Sequence, residues 1–215
     1  MTNLTTRRDL IQQLALVTAG LSIFSSASGS NSSDSSVAKT ELKILQPFYL
    51  PPAKPLQAGP GGIDIRTLVR SSQTNMQFSC VETAVGPKRM GPAPHLHKDL
   101  DELMLVMEGT ATVVVDGKVE EIQAGGWHMR PRGIEHTFWN GSIEPLRFVD
   151  MYFNQNFEDF LEELFHQIIP DMVKNNLTPS DPTISRRMDD LNLKFGVTAF
   201  PEKRQSFIDK YGLQG

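Results

Sequence analysis

His95-Leu96-His97-Lys98-Asp99-Leu100-Asp101-Glu102 is the stretch from which the rest of this chain is read. Side chains of an extended segment alternate between two faces, so histidines at i and i+2 point the same way and both imidazoles reach one ion. Glu102, opening the next apolar run, is near enough to add an oxygen ligand. A second stretch, Gly125-x5-Pro131-x-Gly133-x2-His136-x3-Asn140, contains a turn that returns the chain and presents one more histidine on a new strand. His95, His97, Glu102 and His136 then complete a set of three imidazoles and one carboxylate. Lacking a thiolate, such a set suits one divalent transition metal: iron, manganese, nickel, zinc or copper.

Together these stretches resemble the two signature motifs of the cupin family. The first motif runs Gly-x5-His-x-His, three or four residues, Glu, six residues and Gly. Here His95, His97, Glu102 and Gly109 are in register, and Arg89 stands where the leading Gly belongs. The second motif is met at every position by Gly125, Pro131, Gly133, His136 and Asn140. The 15 residues between them, Thr110 to Ala124, are typical of the small bacterial members. What the resemblance implies is an all-β fold: a single-domain double-stranded β-helix, a jelly-roll-like barrel open at one end, with the metal on those four residues. It also implies one or two coordination positions left for water, substrate or dioxygen.

Outward from the motifs, short β-type runs are broken by turns: Ile63 to Arg70, Asn75 to Ala84, Glu102 to Val115, Lys118 to Ile122, Trp127 to Arg130, Ile134 to Asn140 and Leu146 to Phe153. Asp116-Gly117 between apolar runs is a hairpin signal, and Gly109 marks a bend where one strand ends and its partner begins. Many short strands at regular spacing predict a sandwich or barrel over residues 63–153. The period then changes. Phe157, Phe160, Leu161, Leu164, Phe165 and Ile168 recur at helical spacing, predicting a helix from Phe157 to Ile169 that ends before Pro170. Further helices are expected around Ile184 to Lys194 and Glu202 to Tyr211, so residues 154–215 form an α-helical C-terminal appendage on the barrel or on a second subunit.

Upstream, Arg7-Arg8 precedes a modest apolar run, Leu10 to Phe24, and then a serine-rich stretch. Residues 1–27 are read as a signal peptide resembling the bacterial twin-arginine type, too short and polar for a stable membrane anchor after cleavage. Residues 28–62 form a Ser-rich linker and a Pro-rich arm. The expected location is outside the cytoplasm, periplasmic or extracellular. The 21 basic and 25 acidic residues carry no uncompensated cluster for a polyanion, so nucleic acid is not an expected partner. The lone Cys80 excludes an intrachain disulfide and a Cys-x-x-Cys pair. A homodimer is expected, through sheet edges or the C-terminal helices.

Strand parity extends the site. If Glu102 points inward, so does Met104; if His136 does, so do Phe138 and Asn140. Met76, Phe78 and Cys80 form another alternating set. Met104, Phe138, Asn140 and Phe78 are therefore the candidate substrate pocket, an apolar wall with no Arg or Lys on the inward sets. His128 is read as a pocket or surface residue and His166 as lying outside the site. Such a pocket over a metal suits a small aromatic or enolic substrate. The favoured activity is that of a metal-dependent oxygenase resembling quercetin dioxygenases, with Glu102 as catalytic proton acceptor as well as ligand. A non-catalytic small-ligand-binding module, and a metal-dependent isomerase or decarboxylase, are the alternatives, because fold alone does not choose.

Overall fold

The computed structural model describes residues 44–215, so the signal-peptide reading and most of the Ser-rich linker lie outside the described residues. Ten strands and four α-helical segments follow the arm. The barrel strands are β1 (Ile63–Val69), β2 (Phe78–Val85), β3 (His95–His97), β4 (Asp101–Glu108), β5 (Thr110–Val115), β6 (Lys118–Gln123), β7 (Trp127–Arg130), β8 (His136–Trp139) and β9 (Leu146–Phe153). The appendage contributes α1 (Phe157–Glu163), α2 (Ile169–Asn175), α3 (Pro182–Phe195), strand β10 (Val197–Ala199) and α4 (Pro201–Tyr211).

Two five-stranded antiparallel sheets face each other, one ordered β1-β2-β9-β4-β7 and the other β10-β3-β8-β5-β6. The hairpin between β5 and β6 turns at Asp116 and Gly117, both with positive φ, which suits a two-residue turn. Between β4 and β5 Gly109 has φ +77°, and a Cβ there would meet the Pro145 carbonyl at 2.4 Å, so only glycine bends the chain at this point. The expected fold, a cupin-type barrel with a helical appendage, is the one adopted.

The inner faces carry Val85, Met104, Val106, Val113, Phe138 and Phe148, which close the bottom of the barrel. At the other end, Ile65, Val81, Leu100 and Tyr152 pack against Phe157, Phe160, Ile184, Leu191 and Phe195 of the appendage. The appendage thus caps the mouth of its own barrel. Glu158 of α1, buried, accepts hydrogen bonds from the backbone N–H and hydroxyl of Ser71, and Glu162 accepts from Thr67 and Arg70. These contacts lock α1 against β1.

Two expectations about the appendage change. The first helix does not stop before Pro170. A π-helical turn, Leu164–Ile168, joins α1 to α2 without a break, so Pro170 stands inside a continuous helical run, and the wider turn just before it accommodates the proline and its missing N–H. The appendage also contains a strand. β10 pairs antiparallel with β3, aligning Val197 with His97 and Ala199 with His95. Among the described residues no helix is long and apolar enough to cross a membrane.

Candidate metal centre

The site is assembled from both sheets. His95 and His97 lie two apart on β3, and His95 is directly opposite His136 on β8. Glu102 enters from β4, in the facing sheet. The Gly133 N–H donates to the His97 carbonyl at 2.7 Å; with φ +74° this glycine turns the second motif back onto the ligand strand.

One ligand atom from each of His95, His97, Glu102 and His136 lies within 4.8 Å of all the others. Two imidazoles are fixed by their Nδ1 atoms, which approach the carbonyl oxygens of Ala93 (His95) and Ile134 (His136) at 2.9 Å. When Nδ1–H donates to a carbonyl, the tautomer leaves the Nε2 lone pair free for a metal. His97 Nε2 is 2.8 Å from Glu102 Oε1, and His136 Nε2 is 3.4 Å from Oε2. Yet both nitrogens are buried without an aligned hydrogen-bond partner. Buried polar atoms of a folded protein are normally satisfied. Convergent, unpartnered imidazole nitrogens beside a carboxylate are the donor set that a divalent ion requires, and these residues could hold one.

Burial and charge set the protonation states. Burial, together with the neighbouring His136 and His97, pushes the His95 imidazole down to about 3, so it is neutral and able to coordinate. Burial alone would raise Glu102. The Arg130 guanidinium and the imidazoles of His97 and His136 outweigh it and hold the carboxyl well below the usual range.

Arg130 is the largest departure from the inner wall expected. Its Nε lies 3.1 Å from Glu102 Oε2, its NH2 group donates to Asp150, and its side chain is 1% exposed. Tyr152 donates to the second Asp150 oxygen at 3.3 Å. Burial and the nearby Glu102 charge raise the Asp150 carboxyl against the pull of Arg130. The candidate metal centre therefore rests on a polar layer, and the expectation of a largely apolar inner wall is corrected: Arg130 lies on β7, outside the strand sets read from the sequence. Trp127-His128-Met129-Arg130 alternates in polarity, but only the pairing of Glu102 with Arg130 and Met104 with His128 shows that the polar side is the inner one.

The pocket candidates separate. Met104 and Phe138 are on the inner face, packed in the barrel bottom beneath Arg130, whose guanidinium carbon is 5.9 Å from the Phe138 ring centre. Asn140 ties loops: its amide donates to the carbonyls of Val85, Gly86 and Glu144, and its oxygen accepts from Ser142. Phe78 is not in the pocket. β2 pairs with β9 so that Ser79 opposes inward Tyr152 and Phe78 opposes outward Phe153, which puts Phe78 and Cys80 on the outer face. No ligand fixed the parity of that strand in the sequence. His128 sits 3.2 Å from Glu120, outside the four-residue cluster, and His166 lies 3.9 Å from Asp64.

Aromatic rings cover the ligands from the mouth side. The Phe157 ring meets His97 edge-on at 4.8 Å and is 5.0 Å from Tyr152, while Phe160 stacks on Phe157 at 4.6 Å. The helical spacing was readable in the sequence; what that face would cover was not.

Residues 81–152 match the family model Cupin_2, described as a cupin domain. No curated protein matches the sequence. Solved structures that resemble it include KdgF from Halomonas sp., with 18% identity over 46% of this chain and 84% of that one, TM-score 0.40. Another is a sugar phosphate isomerase of the cupin superfamily from Silicibacter pomeroyi, with 23% identity over 44% of this chain and 60% of that one, TM-score 0.39. A third is the polyketide cyclase RemF from Streptomyces resistomycificus, with 26% identity over 46% of this chain and 70% of that one, TM-score 0.39.

Proposed function

We propose that this cupin-domain chain is an exported metalloenzyme, an oxygenase acting on a small aromatic or enolic substrate. The observation that carries the reading is the convergence of four ligand atoms, with the Nε2 atoms of His97 and His136 left without hydrogen bonds. His95, His97, Glu102 and His136 would hold the ion, and a redox-active ion would supply the means of activating dioxygen and an acidic substrate together. The Phe157 ring, edge-on to His97 and itself beside Tyr152, favours a flat, unsaturated substrate over a sugar. Export rests on the Arg7-Arg8 segment and the serine-rich stretch that follows it.

Glu102 serves this chemistry first as a ligand. To accept a proton from substrate its carboxylate must also be released from Arg130, which favours the ionised form. A second reading is capture of a small ligand without turnover at the same four residues; for either reading Phe157 and Phe160, which fill the mouth, must give way to the bound molecule.

Elemental analysis of the purified protein, with oxygen-uptake assays on phenolic and enolic compounds, tests the proposal. About one equivalent of a redox-active metal is expected, absent in His97→Ala, with substrate-dependent oxygen consumption abolished in Glu102→Gln. Metal retention and ligand capture with no turnover in the wild type would move the assignment to the second reading. Absence of metal after reconstitution would remove the oxygenase reading and leave a ligand-binding barrel.

A further inference from the structure

The parity that takes Phe78 out of the pocket puts Ser79 into it. Ser79 on β2 opposes Tyr152 on β9, Tyr152 opposes Glu102 on β4, and Glu102 opposes Arg130 on β7. Residues directly opposite one another in antiparallel strands share a face, so these four form one inward row at the level of the candidate ligands. With neighbouring strands spaced as in any sheet, Ser79 stands about 9–10 Å from Glu102 along that row.

Three members of the row have partners. Arg130 meets both Glu102 and Asp150, and Tyr152 donates to Asp150. Ser79 differs: it is 0% exposed, and its hydroxyl has no hydrogen-bond partner among the described residues. Buried hydroxyls are normally paired, and an unpaired one is a cost that alanine, almost the same size, would not carry. Packing therefore gives no reason for a serine at this position, whose inward neighbour along the strand, Val81, is apolar. The rings of Phe157 and Phe160 share a cluster with Val81 and Tyr152, and α1 lies against β2. The movement of α1 that admits a molecule to the four ligands thus also uncovers the inward face of β2.

We propose that Ser79 determines specificity: its hydroxyl bonds a second oxygen, at the far end of a flat substrate whose first oxygen sits at the four ligands. The inference rests on the aromatic or enolic reading above and narrows it. The substrate class becomes a phenol or enol that carries a hydroxyl or carbonyl at the end opposite its reacting oxygen. A serine hydroxyl donates and accepts, so either group satisfies it.

Two measurements test the assignment. In urea melts of the metal-free full chain, Ser79→Ala is expected to be as stable as the wild type or more so, because no bond within the fold is lost. A clear loss of stability would show that the hydroxyl is bonded within the resting protein and would overturn the proposal. Calorimetry on zinc-loaded protein, where no oxygen chemistry runs, then compares tyrosol, a phenol with a terminal hydroxyethyl group, with its isostere para-propylphenol. The ratio of their affinities should favour tyrosol about tenfold more in the wild type than in Ser79→Ala, and using the ratio cancels their difference in hydrophobicity. An equal ratio in the two proteins would overturn the role of Ser79 and leave the aromatic reading standing. Binding of neither probe would overturn both. Discrimination by Ser79 without oxygen uptake in iron-loaded protein would support the proposal and remove the oxygenase reading alone.

Discussion

Arg130 is the side chain on which the centre most depends without being a ligand. It is buried between two carboxylates, and truncating one member of a buried ion network leaves the others uncompensated, at a cost of about 3–5 kcal/mol. Arg130→Met is therefore expected to lower stability by roughly that amount in urea melts. In a chelator competition it should weaken metal binding about 10–100-fold, the usual effect of losing a residue that orients a ligand. Unchanged affinity would mean that Glu102 is positioned by the strand alone. The convergence of His95, His97, Glu102 and His136 was legible because their spacing is local: i and i+2 on one strand, and a turn whose glycine and proline are visible as letters. Arg130, Asp150 and the outward Phe78 were not, because facing direction on β7, β9 and β2 is set by pairing with distant strands. A one-residue slip reverses every such assignment.

At the scale of elements, α1 is both a structural brace and the cover of the site. Phe157 packs against His97, Tyr152, Phe160 and Phe195. Phe157→Ala should cost about 3–5 kcal/mol and speed the removal of bound metal by a chelator in stopped-flow measurements. Equal release rates in wild type and variant would show that the ion leaves by another route. The start of α1 was readable from its apolar period. Its continuation past Pro170 was not, because the π turn that allows it depends on packing against the barrel. β10 was invisible for a related reason: three residues carry no period, and Val197–Ala199 is a strand only because β3 offers it an edge.

For the whole molecule, Glu82 joins parts distant in sequence: Arg66 of β1, Arg147 of β9 and the Leu56 amide of the arm all donate to it. Burial alone would raise its carboxyl, but the hydrogen bonds from Arg66 and Arg147 outweigh this and lower it from its ordinary 4.5. A depressed folded-state value contributes stability that is full above the unfolded value and lost as pH falls through the folded one. Melts followed from pH 6 downward should lose stability below about pH 4.5, with a shallower fall in Glu82→Gln. Parallel curves would assign the acid sensitivity elsewhere. The cupin match spans only residues 81–152, yet the barrel mouth is finished by residues after 156. A chain ended after Phe153 is expected to show no cooperative unfolding transition; a sharp one would make the appendage dispensable for folding.

The pairing of β10 with β3 also sets an order of events during synthesis. His97 emerges from the ribosome roughly a hundred residues before its neighbour Val197, about 5–20 s at ordinary elongation rates. His136, the last of the four ligands, also precedes both α1 and β10. Between His136 and Phe157 all four residues are translated while the aromatic cover and the edge strand have yet to be made, and from Phe157 to Val197 the edge strand is still missing. The nascent chain therefore passes through a stage in which the site is open to the surrounding solution, and translation of its last segments ends that exposure.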